Sequence, residues 1–242
     1  MQLNIYKNYQ ELSEQVARQI LQQVIDKPEA VICMASGDTP KLTCQLLAAM
    51  AAKEGTDFSR ATFIGLDEWL GIPPDNTGSC HYFLHHYLFE PLRLATGQVF
   101  VFDALTANPA KACADMDAVI AEKGGIDLMI VGIGMNGHIG FNEPGVSFNL
   151  HAHVIDLDET TITVGQKYFA EPVPLSQGIT LGLQHLLDAR KAIVIANGAK
   201  KAGIIYKTIH NKIGNDIPAT VIRLHNNGEI AIDEEAASML TR

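Results

Sequence analysis

The sequence predicts an α/β protein built on a mainly parallel, doubly wound sheet. Two observations carry this expectation. Short, almost continuously apolar runs alternate with helix-period segments along the whole chain, the pattern of strands buried on both faces by crossover helices. One of these runs, residues 126–134, ends in a Gly-rich polar loop, residues 135–145, carrying His138 and Glu143. Open α/β sheets place their ligand sites where such strands end.

The elements follow in order. Residues 3–6 form a short strand candidate. Residues 9–25 place Leu12, Val16, Ile20 and Val24 at helical spacing. Residues 30–34 read as a buried strand, after which Ser36, Gly37, Asp38, Thr39 and Pro40 open a helix to about residue 53. Thr39 suits its N-cap and Pro40 its first turn. A strand at 61–66 runs into Asp67, Glu68 and Trp69, and a Pro-containing loop leads to a helix at 79–89. A strand at 99–102, a helix at 109–123 and the buried strand from 126 follow.

Beyond the central loop, residues 153–157 read as a strand. Residues 160–176 form the least regular stretch, fit for a mobile loop, and residues 178–187 mix strand and helix signals. A strand at 191–196 precedes a helix opened by Gly198. Strands at 220–224 and 229–232 and a closing helix at 234–240 complete the expectation.

The 242 residues, 47% of them apolar, suffice for one large core, and no composition break divides them. A net charge of −9 argues against a nucleic-acid surface but leaves room for a locally positive pocket. Cys33, Cys44, Cys80 and Cys113 form no C-x-x-C pair and read as reduced thiols. The first residues lack a signal-peptide pattern, and no apolar run reaches the ~18 residues of a membrane span. The expectation is a soluble, cytoplasmic protein without nucleic-acid or membrane partners.

Three strand ends carry candidate chemistry. Around Ser36–Gly37–Asp38–Thr39, a glycine lets the backbone approach a ligand, and the helix start that follows supplies free N–H groups that favour an anion. The same residues also fit an ordinary capped helix start. Asp67 and Glu68 offer a general base or, equally, a capping acid. Asn136, Gly137, His138 and Glu143 combine an imidazole that titrates near neutrality with a carboxylate able to orient it. Gly132, Gly134 and Gly137 miss the dinucleotide-binding spacing by one residue, which disfavours an oxidoreductase. His81 and His85 stand one helical turn apart without a third metal ligand, so no metal is expected. Lys200 and Lys201 oppose a helix dipole unless an anion lies between them, or form a solvated basic pair.

Taken together, residues 36–40, 66–73 and 126–145 resemble the glucosamine-6-phosphate deaminase/isomerase family. Residues 137–145, Gly-His-Ile-Gly-Phe-Asn-Glu-Pro-Gly, are the most specific part. The resemblance implies one modified Rossmann-like domain over residues 1–242, with no metal or redox cofactor. The implied reaction turns a hexosamine 6-phosphate and water into a ketohexose 6-phosphate and ammonia. It further implies Asp67 as the base moving a proton between C2 and C1, His138 as the ring-opening residue and Glu143 as its partner. The Ser36–Thr39 loop and Lys201 match the phosphate cradle. The family also uses an arginine near residue 167, where this chain offers Lys167.

Asn136 stands where glucosamine-type enzymes usually read Asp. Asn cannot carry charge but can hydrogen-bond the imidazole. Asn-Gly-His, with Cys33, Trp69 and residues 179–183, resembles the galactosamine-6-phosphate branch, whose product is tagatose 6-phosphate. Galactosamine 6-phosphate is therefore the expected substrate, with glucosamine 6-phosphate, giving fructose 6-phosphate, as the alternative. A 6-phosphogluconolactonase or a non-catalytic sugar-phosphate-binding module is more distant. The short stretch after the last predicted elements suggests a monomer or small oligomer.

Overall fold

Seven short strands align in parallel in the order β1-β10-β9-β6-β2-β3-β5. The computed structural model describes residues 1–240; Thr241 and Arg242, the end of the expected single domain, lie outside the described residues. The strands are β1 (Gln2–Tyr6), β2 (Val31–Met34), β3 (Thr62–Gly65), β5 (Val99–Phe100), β6 (Leu128–Gly132), β9 (Lys191–Ala196) and β10 (Gly228–Asp233). Successive residues of β2 face opposite cores, as strand pleating requires. Val31 and Cys33 join one buried cluster, and Ile32 and Met34 join the other.

Helices α1 (Tyr9–Asp26), α2 (Asp38–Glu54) and α3 (Cys80–Leu84, continued by a π turn His85–Phe89) cover one face. Helix α4 (Pro109–Glu122), α6 (Leu183–Asp188) and α7 (Ala202–His210) cover the other. From β2 the chain adds β3 and β5 on one side; from β6 it adds β9 and β10 on the other. The order therefore reverses between β2 and β6, which opens a crevice at their carboxyl ends.

A second, three-stranded antiparallel sheet, absent from the sequence-based expectation, has the order β4-β8-β7. It comprises β4 (Asp67–Trp69), β7 (His153–Asp156) and β8 (Gln177–Thr180). Leu66 alone separates β3 from β4, so one apolar run feeds two sheets. Residues 160–176, expected to be irregular, begin with helix α5 (Glu159–Gly165), capped by Asp158 through a 2.8 Å bond from Thr160 N–H, and continue as a 3-10 turn, Gln166–Tyr168.

Two expected elements are corrected. Residues 220–224 lie in a 3-10 helix, Pro218–Leu224, not a strand. The hydroxyl of Thr220 bonds the Ile217 and Gly214 carbonyls there, fixing a local turn that β-branched propensity alone would not predict. Residues 234–240 form consecutive turns rather than a helix, organised by the Asp233 carboxylate, which accepts from Ala236 N–H at 2.8 Å. No described helix is long and apolar enough to cross a membrane.

At the end of the sheet away from the crevice, buried Asp127 accepts Val31 N–H at 2.8 Å and pairs with Lys27 at 2.8 Å and Arg190 at 2.6 Å. Burial pushes its carboxyl upward, but these bonds and charges outweigh it and hold the group below the usual carboxylate range. Its contribution is therefore complete above the unfolded value of about 4 and is lost as pH falls through the folded value. Asp127→Asn should lower unfolding free energy by about 1 kcal/mol at neutral pH, because Lys27 and Arg190 are solvent-screened, with the gap to the native protein narrowing in acid. Urea denaturation across pH checks both; a gap that does not change with pH would contradict the assignment.

Candidate active site

The alternation of strand β4 sorts two adjacent carboxylates to opposite sides. Glu68 turns inward, is 1% exposed, and accepts three backbone N–H groups: Trp69 at 2.8 Å, Cys80 at 3.0 Å and His81 at 2.7 Å. Two of these belong to the first turn of α3, so Glu68 is the capping acid of the pair. Asp67 turns the other way and lines a cavity of about 210 Å³ in the crevice. Protein surrounds it there, and burial, reinforced by the charge of Glu68, pushes its carboxyl up to about 7. A carboxyl poised near neutrality can take and return a proton in one cycle.

The β6 loop supplies the second group. Gly134 N–H donates to the His138 carbonyl at 2.9 Å, and Gly137 N–H to the Gly134 carbonyl at 3.1 Å, folding the loop so that the imidazole lies on Gly134. A Cβ there would come within 2.3 Å of His138 Nε2, so only glycine admits the ring. His138 Nδ1 lies 3.3 Å from Glu143 Oε2 and 3.0 Å from Thr161 Oγ1. Glu143 is 3% exposed. Burial raises its carboxyl, but His138, Thr161 and Asn136 together hold it below the ordinary range.

Asn136 corrects an expectation. Its Nδ2 donates to Glu143 Oε2 at 2.9 Å, with a longer contact of 3.4 Å to Asp158 Oδ1, and its Oδ1 accepts the backbone N–H of His138 at 3.1 Å. It bonds the carboxylate and the main chain, not the imidazole. Asn136, Gly137 and Glu143 stand behind His138; none of them lines the cavity.

One end of the cavity is cationic. Ser36, Gly37, Asp38, Thr39, Lys167 and Lys201 all line it. Gly37, not Thr39, caps α2, with φ 107°, a conformation that favours glycine. Thr39 Oγ1 instead donates to Asn197 Oδ1 at 2.7 Å, tying this loop to the one after β9. Asp38 points outward to pair with Lys167 at 2.6 Å. Burial lowers the Lys167 ammonium, yet this ion pair leaves it raised overall. Burial, then the neighbouring Lys167, pulls Lys201 down to about 8, and its Nζ donates to the Ile133 carbonyl. An anion bound here would relieve that cost. The two lysines read together in sequence separate: Lys200 is exposed, and only Lys201 reaches the cavity.

Sequence reasoning missed several lining residues. Thr160, Thr161, Val164 and Tyr168 belong to α5 and its following turn, and Cys80 begins α3. Asp158 followed by Glu159 was an available N-cap signal for α5. Trp69 lines the cavity and packs on Phe141, with ring centroids 4.5 Å apart. Among the described residues, no group of three His, Cys, Asp or Glu side chains is gathered to hold a metal ion.

A doubly wound sheet whose switch-point crevice holds a neutral-range carboxyl, an oriented imidazole and a cationic end defines an α/β protein equipped to move protons on a small anionic ligand. The family model described as glucosamine-6-phosphate isomerases/6-phosphogluconolactonase matches residues 7–232, and the chain belongs to that family. It is 38% identical to a glucosamine-6-phosphate deaminase of Thermoanaerobacter sp. (strain X514), over 99% of this chain and 95% of that protein. It is 36% identical to one of Clostridium novyi (strain NT), over 99% and 100%. A solved structure described as a monomeric glucosamine-6-phosphate deaminase superposes with TM-score 0.95 at 31% identity, over 99% of this chain and 100% of that one. The 6-phosphogluconolactonase of Trypanosoma brucei shares the fold at TM-score 0.80 and 20% identity.

The raised Asp67 has a stability consequence. The folded protein keeps this proton to higher pH than the unfolded chain does, so native stability declines between about pH 4 and the folded value near 7. Asp67→Asn should remove that decline, making the variant more stable than the native protein by on the order of 2–4 kcal/mol at about pH 8 and much closer to it at about pH 4. Denaturation at both pH values is the check; a variant less stable at pH 8 would contradict the assignment.

Proposed function

We propose that the protein is a hexosamine-6-phosphate deaminase acting on glucosamine 6-phosphate. The observation that carries this reading is one cavity lined by Asp67, His138, and the cationic set of Lys167, Lys201 and the α2 N-terminus. The cationic end suits a phosphate monoester. His138, backed by ionised Glu143, passes a proton between the anomeric hydroxyl and the ring oxygen, opening the sugar. Asp67 then removes the proton at C2 while the substrate's own ammonium gives one to O1, and Asp67 returns its proton to C1. The resulting C2 iminium adds water and expels ammonia as ammonium, leaving fructose 6-phosphate. Asp67 and His138 each return the proton they take, and the O1 proton comes from the amino group, so the reaction balances.

The choice of sugar rests on two considerations. The relatives that cover the chain at 36–38% identity are glucosamine-6-phosphate deaminases. The residues that pointed to galactosamine 6-phosphate mostly stand away from the cavity. Asn136 backs Glu143, Cys33 is buried in β2, and Ile179, Leu181 and Leu183 are fully buried in the core. Trp69 alone among them lines the cavity, and it favours galactosamine 6-phosphate as the second reading. The monomeric description of one solved relative supports a monomer.

An ammonia-release assay in chelator-treated buffer, run in parallel on both sugar phosphates, tests the proposal. Glucosamine 6-phosphate should give the higher kcat/KM. A reversed preference establishes the second reading, and release from neither sugar, or activity abolished by chelator, overturns both. Asp67→Asn should lower kcat by about 10³-fold while equilibrium binding of the product ketose phosphate stays within about threefold. Lost binding would recast Asp67 as a structural residue.

A further inference from the structure

Thr161 lies on α5 and is 4% exposed, yet its hydroxyl touches the imidazole of His138. The ring nitrogen Nδ1 has two neighbours. Thr161 Oγ1 is 3.0 Å away, within ordinary hydrogen-bond range. Glu143 Oε2 is 3.3 Å away, longer than a charge-assisted bond to a carboxylate normally is. That oxygen already accepts Asn136 Nδ2 at 2.9 Å, and the other carboxylate oxygen faces Asp158 N–H at 3.4 Å.

Glu143 Oε2 carries only lone pairs, so a lone pair on Nδ1 facing it at 3.3 Å would be repelled, and the ring proton belongs on Nδ1. The Thr161 hydroxyl oxygen, 3.0 Å away, supplies the acceptor within ordinary hydrogen-bond range that Glu143 does not, and it accepts Nδ1–H. With the single proton of the neutral ring on Nδ1, Nε2 at Gly134 keeps its lone pair.

We infer that Thr161 is a positioning residue that shares the Nδ1 side of His138 with Glu143, holding the imidazole as the Nδ1–H tautomer with Nε2 as the proton acceptor. The role of this acceptor in ring opening rests on the deaminase reading; the tautomer does not. Helix α5 makes the arrangement rigid. Its N-cap Asp158 contacts both Asn136 and Glu143, and Thr161 lies on the first turn that Asp158 caps. The helix that walls the cavity thus also orients the ring.

The test is ¹H–¹⁵N correlation spectroscopy of the His138 ring in the free protein under alkaline conditions, for the native protein, Thr161→Val and Thr161→Ser, alongside steady-state kinetics on glucosamine 6-phosphate. The native ring should carry its proton on Nδ1. Thr161→Val, close to isosteric, should convert this to a mixture of tautomers and lower kcat about 10-fold with KM changed less than about twofold. Thr161→Ser should restore both. A native proton on Nε2, or a Val variant with unchanged tautomer, overturns the inference. If the native protein turns over neither sugar phosphate, the deaminase reading fails while the spectra still decide the role of Thr161.

Discussion

The site depends on how strand β4 disposes of two neighbouring carboxylates. Glu68 is buried and stays there because three backbone N–H groups satisfy it. A buried carboxylate without such partners would be too costly to keep. Its presence fixes the start of α3 and adds its charge to the environment of Asp67. Asp67 in turn lacks the partners that Glu68 has, and it is the group whose carboxyl moves into the neutral range. A capping carboxylate and a neutral-range carboxyl are thus two outcomes of one dipeptide, decided by which side of the strand each residue faces.

The rest of the cavity extends this arrangement across the sheet reversal. The β2 and β6 loops lie at the switch point, the β9 loop beside them, and the small antiparallel sheet carries Asp67 in from a third direction. Helix α5 closes the circuit. Its first turn touches the His138–Glu143 pair, and the turn that follows sends Lys167 to Asp38 beside the α2 N-terminus. The two chemical ends of the cavity are therefore connected through one short segment, so displacement of α5 would disturb both.

Much of this was legible in the sequence for identifiable reasons. The central strands β2, β3, β6 and β9 are short apolar runs buried on both faces, though the similar run at 220–224 folds as a 3-10 helix. Asp67, His138, Glu143 and Lys201 stand in or behind one cavity because they lie in or after the loops at strand ends, whereas Lys167, in the turn after α5, was reachable only through the family resemblance. What was illegible was tertiary. The second sheet is hidden because one residue separates β3 from β4. Helix α5 is rich in Thr and Val, weak helix formers, and exists because Asp158 caps it and Thr161 is bonded from the far side. Asn136 stood out by type, yet only geometry reveals that it serves Glu143 rather than the ring.

Asp67 is held near neutrality while its neighbour serves as a cap. A ¹³C NMR titration of the aspartate carboxyls, with the Asp67 signal identified by its absence in Asp67→Asn, measures this directly. Asp67 should titrate with a midpoint of about 7. A midpoint in the ordinary carboxylate range of about 4 would contradict it.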